Sequence, residues 1–169
     1  KLTRLISYGC CAMQSAIDAF LETYSTLSKT HRPVILFHGT QPGNLHAIST
    51  NGLRVPRGNS DVMHGSAYGL GIYCAPVPST SMVYCGTGSH GSMFMCIGLV
   101  SNTDENVRVV RDYCVVFHRS ELVLPLWLLT YGNAQTHAAP VRRILTPESL
   151  SRQSGVSVAP KNDVVKMTR

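Results

Sequence analysis

Two short constellations carry residue types from which a binding or transfer site could be built. The first is Phe37-His38-Gly39-Thr40, at the end of the β-rich run 34–37. A glycine there lets a ligand come close to the main chain, whose N–H and C=O stand side by side as donor and acceptor. A planar carboxamide needs such a pair, and His38 adds a side chain able to hydrogen-bond a hydroxyl. The second is Gly69-Leu70-Gly71-Ile72-Tyr73-Cys74-Ala75, followed by Ser81 and Tyr84. Two glycines one apart relieve crowding beside a cleft, and the two tyrosines can turn aromatic faces to a flat ring. The Gly-x-Gly is no parallel-sheet dinucleotide fingerprint, because the third glycine is missing and a loop precedes it. Each constellation alone also reads as ordinary structure, a core histidine in one case and a turn with two packed tyrosines in the other.

Apolar spacing predicts the elements that must position these groups. Residues 2–28 read as helical at three- and four-residue steps, with Gly9 dividing a short helix from a better one over 11–27. A strand over 34–37 leads into the first constellation. A helix over 43–51 follows, with Leu45 and Ile48 facing inward and Gly52 as its stop. Residues 53–55 form a short extended piece, and 56–71 a Gly-rich loop. Residues 72–75 are a strand fragment, and 78–85 a helix capped by Ser79 or Thr80. Strands are expected over 93–100, 107–117 and 122–131, the last with Pro125 at a sheet edge or bend. From 132 the large apolar residues thin out, so 132–169 reads as a linker-like tail, partly disordered. Short strands with few helices predict an α+β domain over 1–131, including an N-terminal helical segment over 1–30, on antiparallel sheets.

The chain has 169 residues, 44% of them hydrophobic and 14% charged, a globular balance. Its formal net charge of +6 suits anionic ligands, but Lys and Arg are scattered and no run interleaves them with aromatics. The six cysteines include no Cys-x-x-Cys pair and no zinc-finger spacing with histidine, so no metal is expected. Four of them lie in apolar runs and read as free thiols of a reducing compartment. No apolar run approaches a membrane span, so a soluble, intracellular protein, cytoplasmic or nuclear and monomeric, is the expectation. The chain begins with Lys1 rather than Met, as a piece of a longer polypeptide would.

In order and spacing these pieces resemble the poly(ADP-ribose) polymerases, the diphtheria-toxin-like ADP-ribosyltransferases. The resemblance runs from residue 34 to 131. It takes in Leu36 to Thr40, Asn44, Ile48, Asn51-Gly52-Leu53-Arg54, Tyr68-Gly69-x-Gly71-Ile72-Tyr73 and Ser81-x-x-Tyr84. It ends with Tyr113 to Phe117 and the proline-containing run Leu124 to Tyr131. The resemblance implies two packed, mainly antiparallel sheets and NAD+ as substrate. His38 would hold ribose hydroxyls, and Gly39 would clamp the nicotinamide amide through its backbone. Ser81 would add a hydrogen bond to that amide, and Tyr84 would stack on the ring with Tyr73 lining the other side. Gly71 would flank the same cleft. Thr40, Asn44 and Arg54 would serve the adenosine and diphosphate end, although Arg54 reads equally as a solvated side chain.

The polymerases carry a glutamate at the start of the penultimate strand. Aligning the apolar 115–117 core puts Tyr113 there, and a shift of one puts Asp112. A phenol, with a pKa near ~10, is a poor base at neutral pH. With Tyr113 as the third catalytic position beside His38 and Tyr73, transfer of a single ADP-ribose is implied rather than chain growth. The loop His64-Gly65-x-x-Tyr68-Gly69 likewise resembles the mono-transferring branch. The implied partner is a protein acceptor, with a ubiquitin-pathway partner and a nucleic-acid acceptor left open. The competing classes are a binding-only module for NAD or ADP-ribose, a basic nucleic-acid-binding domain, and a Cys–His hydrolase.

Overall fold

The computed structural model describes residues 4–58, 67–86 and 90–132. Half of the expected 56–71 loop and nearly all of the expected tail therefore lie outside the described residues. In chain order the elements are β1 (Arg4–Cys10), α1 (Gln14–Leu27), β2 (Arg32–Gly39), a 3-10 turn at Pro42–Asn44 and α2 (Leu45–Asn51). Then come β3 (Ile72–Cys74), α3 (Pro78–Met82), β4 (Gly91–Val100), β5 (Val107–Val110), β6 (Cys114–Phe117) and β7 (Val123–Gly132). One sheet has four strands in the order β1-β7-β4-β2, and the other three in the order β3-β6-β5. Every strand pairing is antiparallel. This is the α+β architecture expected from the sequence.

The sheets face each other across one apolar core. Leu36, Phe94, Cys96 and Leu99 of the larger sheet are buried with Ile72, Cys74, Val115 and Phe117 of the smaller. Phe20 of α1 closes one side of this cluster. All four residues of β6 are buried, so this strand shows no alternation of apolar and polar residues. A strand covered on both faces has no period of two to read.

Three expectations need correction. The helix expected over 2–8 is instead β1, paired with β7 from Arg4↔Gly132 to Cys10↔Trp127. A seven-residue apolar pattern fits either period, and a sheet edge more than a hundred residues away in sequence decided it. The run 107–117 is two strands rather than one, because the chain turns at Arg111-Asp112-Tyr113. The Tyr113 N–H closes that turn on the Val110 carbonyl at 3.0 Å, and Arg111 adopts a φ of 44°. No Gly or Pro marks the turn, so β-propensity alone ran through it. Third, α3 is capped by Val77, without a side-chain bond, and not by Ser79 or Thr80. Pro78 occupies the first turn, where its missing N–H costs nothing.

The other elements follow their signals. Helix α1 spans 14 residues, and α2 stops at Gly52, whose φ is 75° and whose N–H bonds the Ile48 carbonyl at 2.8 Å. Residues 53–55, expected to be extended, join no sheet; the Val55 N–H is taken by the Ser120 hydroxyl at 3.0 Å. Pro125 sits just past the end of β1, opposite Cys96 at a register shift in the β4–β7 ladder. There its lack of a donor leaves no ladder bond unmade. Among the described residues no helix is long and apolar enough to cross a membrane.

One polar clamp fixes the start of β2 to the β4–β5 connection. The His31 ring, 7% exposed, meets the Asp104 carboxylate at 2.9 Å. The Asn106 N–H at 2.8 Å, and then its side-chain amide and His31, outweigh burial and hold the Asp104 carboxyl below its ordinary range. A depressed carboxyl contributes stability above its unfolded pKa of ~4, and loses it as pH falls through the lowered value. Asp104→Ala is expected to destabilise the domain by about 1–3 kcal/mol at pH 7, with the difference from the parent shrinking below pH ~4 in thermal melts.

Candidate active site

The site begins at the seam between the two sheets. Strand β2 is the edge of the larger sheet, with β4 on one side. On its free side Phe37 exchanges both backbone hydrogen bonds with Ala75, each at 2.8 Å. In an antiparallel ladder, alternate residues send N–H and C=O to the same side. Phe37 points away from β4, and the register from Phe37↔Met95 to Gly39↔Met93 is unbroken, so Gly39 points the same way. Beyond the seam, the Gly39 donor and acceptor therefore face the cavity that opens there.

Gly39 has to be glycine. A Cβ at this position would run into the backbone carbonyl of Ser81 in α3, with the Cys85 sulfur 3.2 Å away. That close approach also sets Ser81, whose hydroxyl donates to the Phe37 carbonyl at 2.8 Å. The Phe37 oxygen thus accepts two bonds, from Ala75 and from Ser81. With its proton committed, the Ser81 oxygen, 3% exposed, keeps its acceptor capacity for whatever lies beside it.

A cavity of about 490 Å³ opens at this seam. Of the residues given a site role from the sequence, all but the alternative Asp112 line it. His38, Gly39 and Thr40 come from the end of β2, and Asn44 and Arg54 from either side of α2. Gly71 and Tyr73 come from β3 and its approach, and Ser81 and Tyr84 from α3 and the turn after it. Tyr113 completes the wall from the β5–β6 turn; Asp112, its rival for the third position, is exposed and lines no part of it. No Asp or Glu is among the described lining residues.

Hydrogen bonds define what each side chain can still offer. His38 Nδ1 lies 2.9 Å from the Tyr73 carbonyl, which only accepts, so Nδ1 carries the proton and Nε2 is left as acceptor in the neutral ring. The Tyr73 hydroxyl is already used: it donates to the Gly69 carbonyl at 2.7 Å and accepts from the Tyr68 N–H at 3.0 Å. Tyr73 therefore presents its ring to the cavity while its hydroxyl folds the glycine-rich turn. Gly71 lies where a Cβ would come within 2.6 Å of Val116 Cγ1 and 2.9 Å of the Phe117 carbonyl. It relieves crowding against β6 rather than touching the cavity with a side chain. The Asn44 amide donates to the Thr40 hydroxyl at 3.1 Å, tying the two polar groups at the α2 end. Arg54 is exposed there. Burial and the neighbouring Tyr113 hydroxyl push the Tyr84 phenol up, so Tyr84 stays neutral.

Along the chain nothing basic adjoins Cys74, but the fold brings a histidine to it. The Phe37–Ala75 pairing leaves His38 and Cys74 next to each other across the seam, and both line the cavity. Burial works against protonation of His38, but the Cys74 sulfur and the Tyr73 carbonyl outweigh it and raise the imidazole pKa. The Cys96 thiol, and then His38, outweigh burial at Cys74 and bring it down to about 6. No pattern along the chain pairs residues 38 and 74. Only the seam does. Among the described residues, no cluster of three or more His, Cys, Asp or Glu is arranged to hold a metal ion.

Two antiparallel sheets joined at a glycine-bearing edge strand, with a cavity at the join, form the ADP-ribosyltransferase fold. The chain belongs to the family of the poly(ADP-ribose) polymerase catalytic domain, whose family model matches residues 14–121, from α1 to the turn before β7. Over 50 residues it is 44% identical to the protein mono-ADP-ribosyltransferase PARP8 of Mus musculus, and equally to that of Homo sapiens. That stretch is 30% of this chain and 6% of each relative.

Replacing Gly39 tests whether backbone contact shapes the site. Gly39→Ala is expected to push α3 off β2 at a cost on the order of 1–3 kcal/mol. Hydrogen exchange should then quicken at the Tyr84 and Cys85 amides, which bond the Ser81 and Met82 carbonyls. Unchanged exchange there would show that α3 is held independently of Gly39.

Proposed function

We propose that this domain binds NAD+ in the cavity between His38 and Tyr84 and transfers one ADP-ribose to an acceptor, releasing nicotinamide. The observation that carries the reading is the Gly39 backbone pair facing a cavity that Ser81 also lines. A carboxamide matches that set: its N–H groups meet the Gly39 carbonyl and the Ser81 oxygen, and its carbonyl meets the Gly39 N–H. The Tyr84 and Tyr73 rings lie to either side of a flat ring held this way. His38 Nε2 accepts from a ribose hydroxyl, and Thr40, Asn44 and Arg54 serve the adenosine and diphosphate end.

Cleavage of the nicotinamide–ribose bond passes through an oxocarbenium-like state, as glycoside cleavage does. Little is asked of the protein beyond holding the leaving group and the ribose in a reactive geometry and excluding water. The third position carries Tyr113, half exposed, and no described Asp or Glu lines the cavity. Among the described lining residues none is a carboxylate that would activate the hydroxyl of an ADP-ribose already attached, which favours single transfer over chain growth. The names of the two relatives agree with that preference. The acceptor in this reading is a protein. A binding-only relative is the competing outcome.

The purified chain is to be incubated with NAD+ labelled in the adenylate, while nicotinamide release is followed. Label is expected to appear on protein as single ADP-ribose units. His38→Ala and Tyr84→Ala should each lower the rate about tenfold or more, the loss of one well-placed contact. Calorimetric binding of NAD+ without any nicotinamide release would leave a binding module, and a ladder of polymer would overturn single transfer.

A further inference from the structure

The cavity wall holds a nucleophile that the transfer reaction does not use. Cys74 is buried from bulk solvent at 2% exposure, yet it forms part of the cavity surface beside His38. The His38 Nδ1 is committed to the Tyr73 carbonyl, so Nε2 is the nitrogen left for either the Cys74 sulfur or a ribose hydroxyl. One imidazole nitrogen thus has two claimants. Cys96, fully buried behind the seam, and Cys114, on the cavity wall, are the other thiols that act on or respond to Cys74.

We propose that Cys74 is a peroxide-reactive modification site inside the cavity, and that its oxidation and nucleotide binding exclude each other through His38. The second half rests on the cavity being the NAD+ site; the first half does not. With Cys74 lowered to about 6 and His38 raised, the pair shares its proton toward the imidazole in the nucleotide-free cavity, whereas the neutral ring that accepts a ribose hydroxyl leaves Cys74 a thiol. Thiolates, not thiols, attack peroxides. In the step proposed, the Cys74 thiolate attacks one oxygen of hydrogen peroxide and the O–O bond breaks. The departing hydroxide takes the imidazolium proton and leaves as water. Sulfur is oxidised to sulfenic acid, peroxide is reduced, and His38 becomes neutral, its Nε2 accepting the sulfenic O–H in place of a ribose hydroxyl. Hydrogen peroxide is neutral and hardly larger than water, so it can enter a cavity of about 490 Å³. By contrast, burial pushes the Cys85 thiol up, which leaves it protonated and slow.

The test treats the whole chain with hydrogen peroxide at pH 7 and traps sulfenic acid with dimedone, mapping each cysteine by mass spectrometry. Cys74 should label about tenfold or more faster than Cys85, with exposed Cys10 as the reference for reagent access. Saturating NAD+ should slow Cys74 about tenfold and leave Cys10 unchanged. In parallel, NAD+ affinity is measured before and after peroxide; the parent should lose affinity and Cys74→Ala should not. Labelling of Cys10 without Cys74 overturns the modification site, whether or not the variant folds. Labelling of Cys74 that bound NAD+ fails to slow overturns the exclusion. If Cys74 labels but calorimetry detects no NAD+ binding at all, the nucleotide reading has failed and the thiol site stands.

Discussion

The reciprocal hydrogen bonds between Phe37 and Ala75 are the constraint on which the site depends. They are the isolated bridge that joins the edge strand of the four-stranded sheet to the start of the three-stranded one. Because backbone direction alternates along a strand, making this bridge at Phe37 leaves Gly39 facing the same side with its own pair unspent. The bridge also sets His38 beside Cys74 and carries the Tyr73 carbonyl to within 2.9 Å of the imidazole. A single residue of slip in β2 would turn His38 out of the cavity and aim the Gly39 backbone at β4.

Around that bridge, close backbone approach replaces side-chain bulk. The Ser81 carbonyl lies where a Cβ of residue 39 would be, so α3 can bring Ser81 and Tyr84 to the cavity although it is only five residues long. So short a helix has little stability of its own. Its position is held by the Ser81 hydroxyl on the Phe37 carbonyl and by the small satellite core of Cys85, Met93 and Tyr131. The larger core behind the seam is continuous from Phe94 to Phe117, which lets the cavity wall stay fixed without a cluster of charges.

The site is electrically sparse. Among the described residues its lining holds phenols, thiols, hydroxyls, amides and one imidazole, with exposed Arg54 as its one Lys or Arg. Such a lining suits recognition of a neutral amide and of an anionic diphosphate more than acid–base chemistry on an acceptor. From the β5–β6 turn the cavity wall takes a half-exposed phenol, that of Tyr113. Protonation equilibria are perturbed at His38, Cys74, Tyr84 and Cys114 on the wall and at Cys96 buried behind it.

The sequence by itself determined much of the site. His38-Gly39-Thr40 at a strand end, Gly71-Ile72-Tyr73 and Ser81-x-x-Tyr84 were legible through the order and spacing in which they resemble a known family, although the crowding that demands Gly39 and Gly71 comes from Ser81 and from β6. Helices α1 and α2 were legible because a 3.6-residue period and a glycine stop are written within a few residues. Tertiary structure decided what depends on distant partners. Residues 4–10 became a strand because β7 offered its edge, and 107–117 became a hairpin because β6 had to be buried on both faces while Arg111 to Tyr113 turned back. It also decided which register puts Tyr113, not Asp112, in the cavity wall. Cys74 is the clearest case: along the chain it is a small hydrophobe in an apolar run. Only the bridge between Phe37 and Ala75 makes it the neighbour of a histidine, because proximity across a seam leaves no trace in sequence spacing.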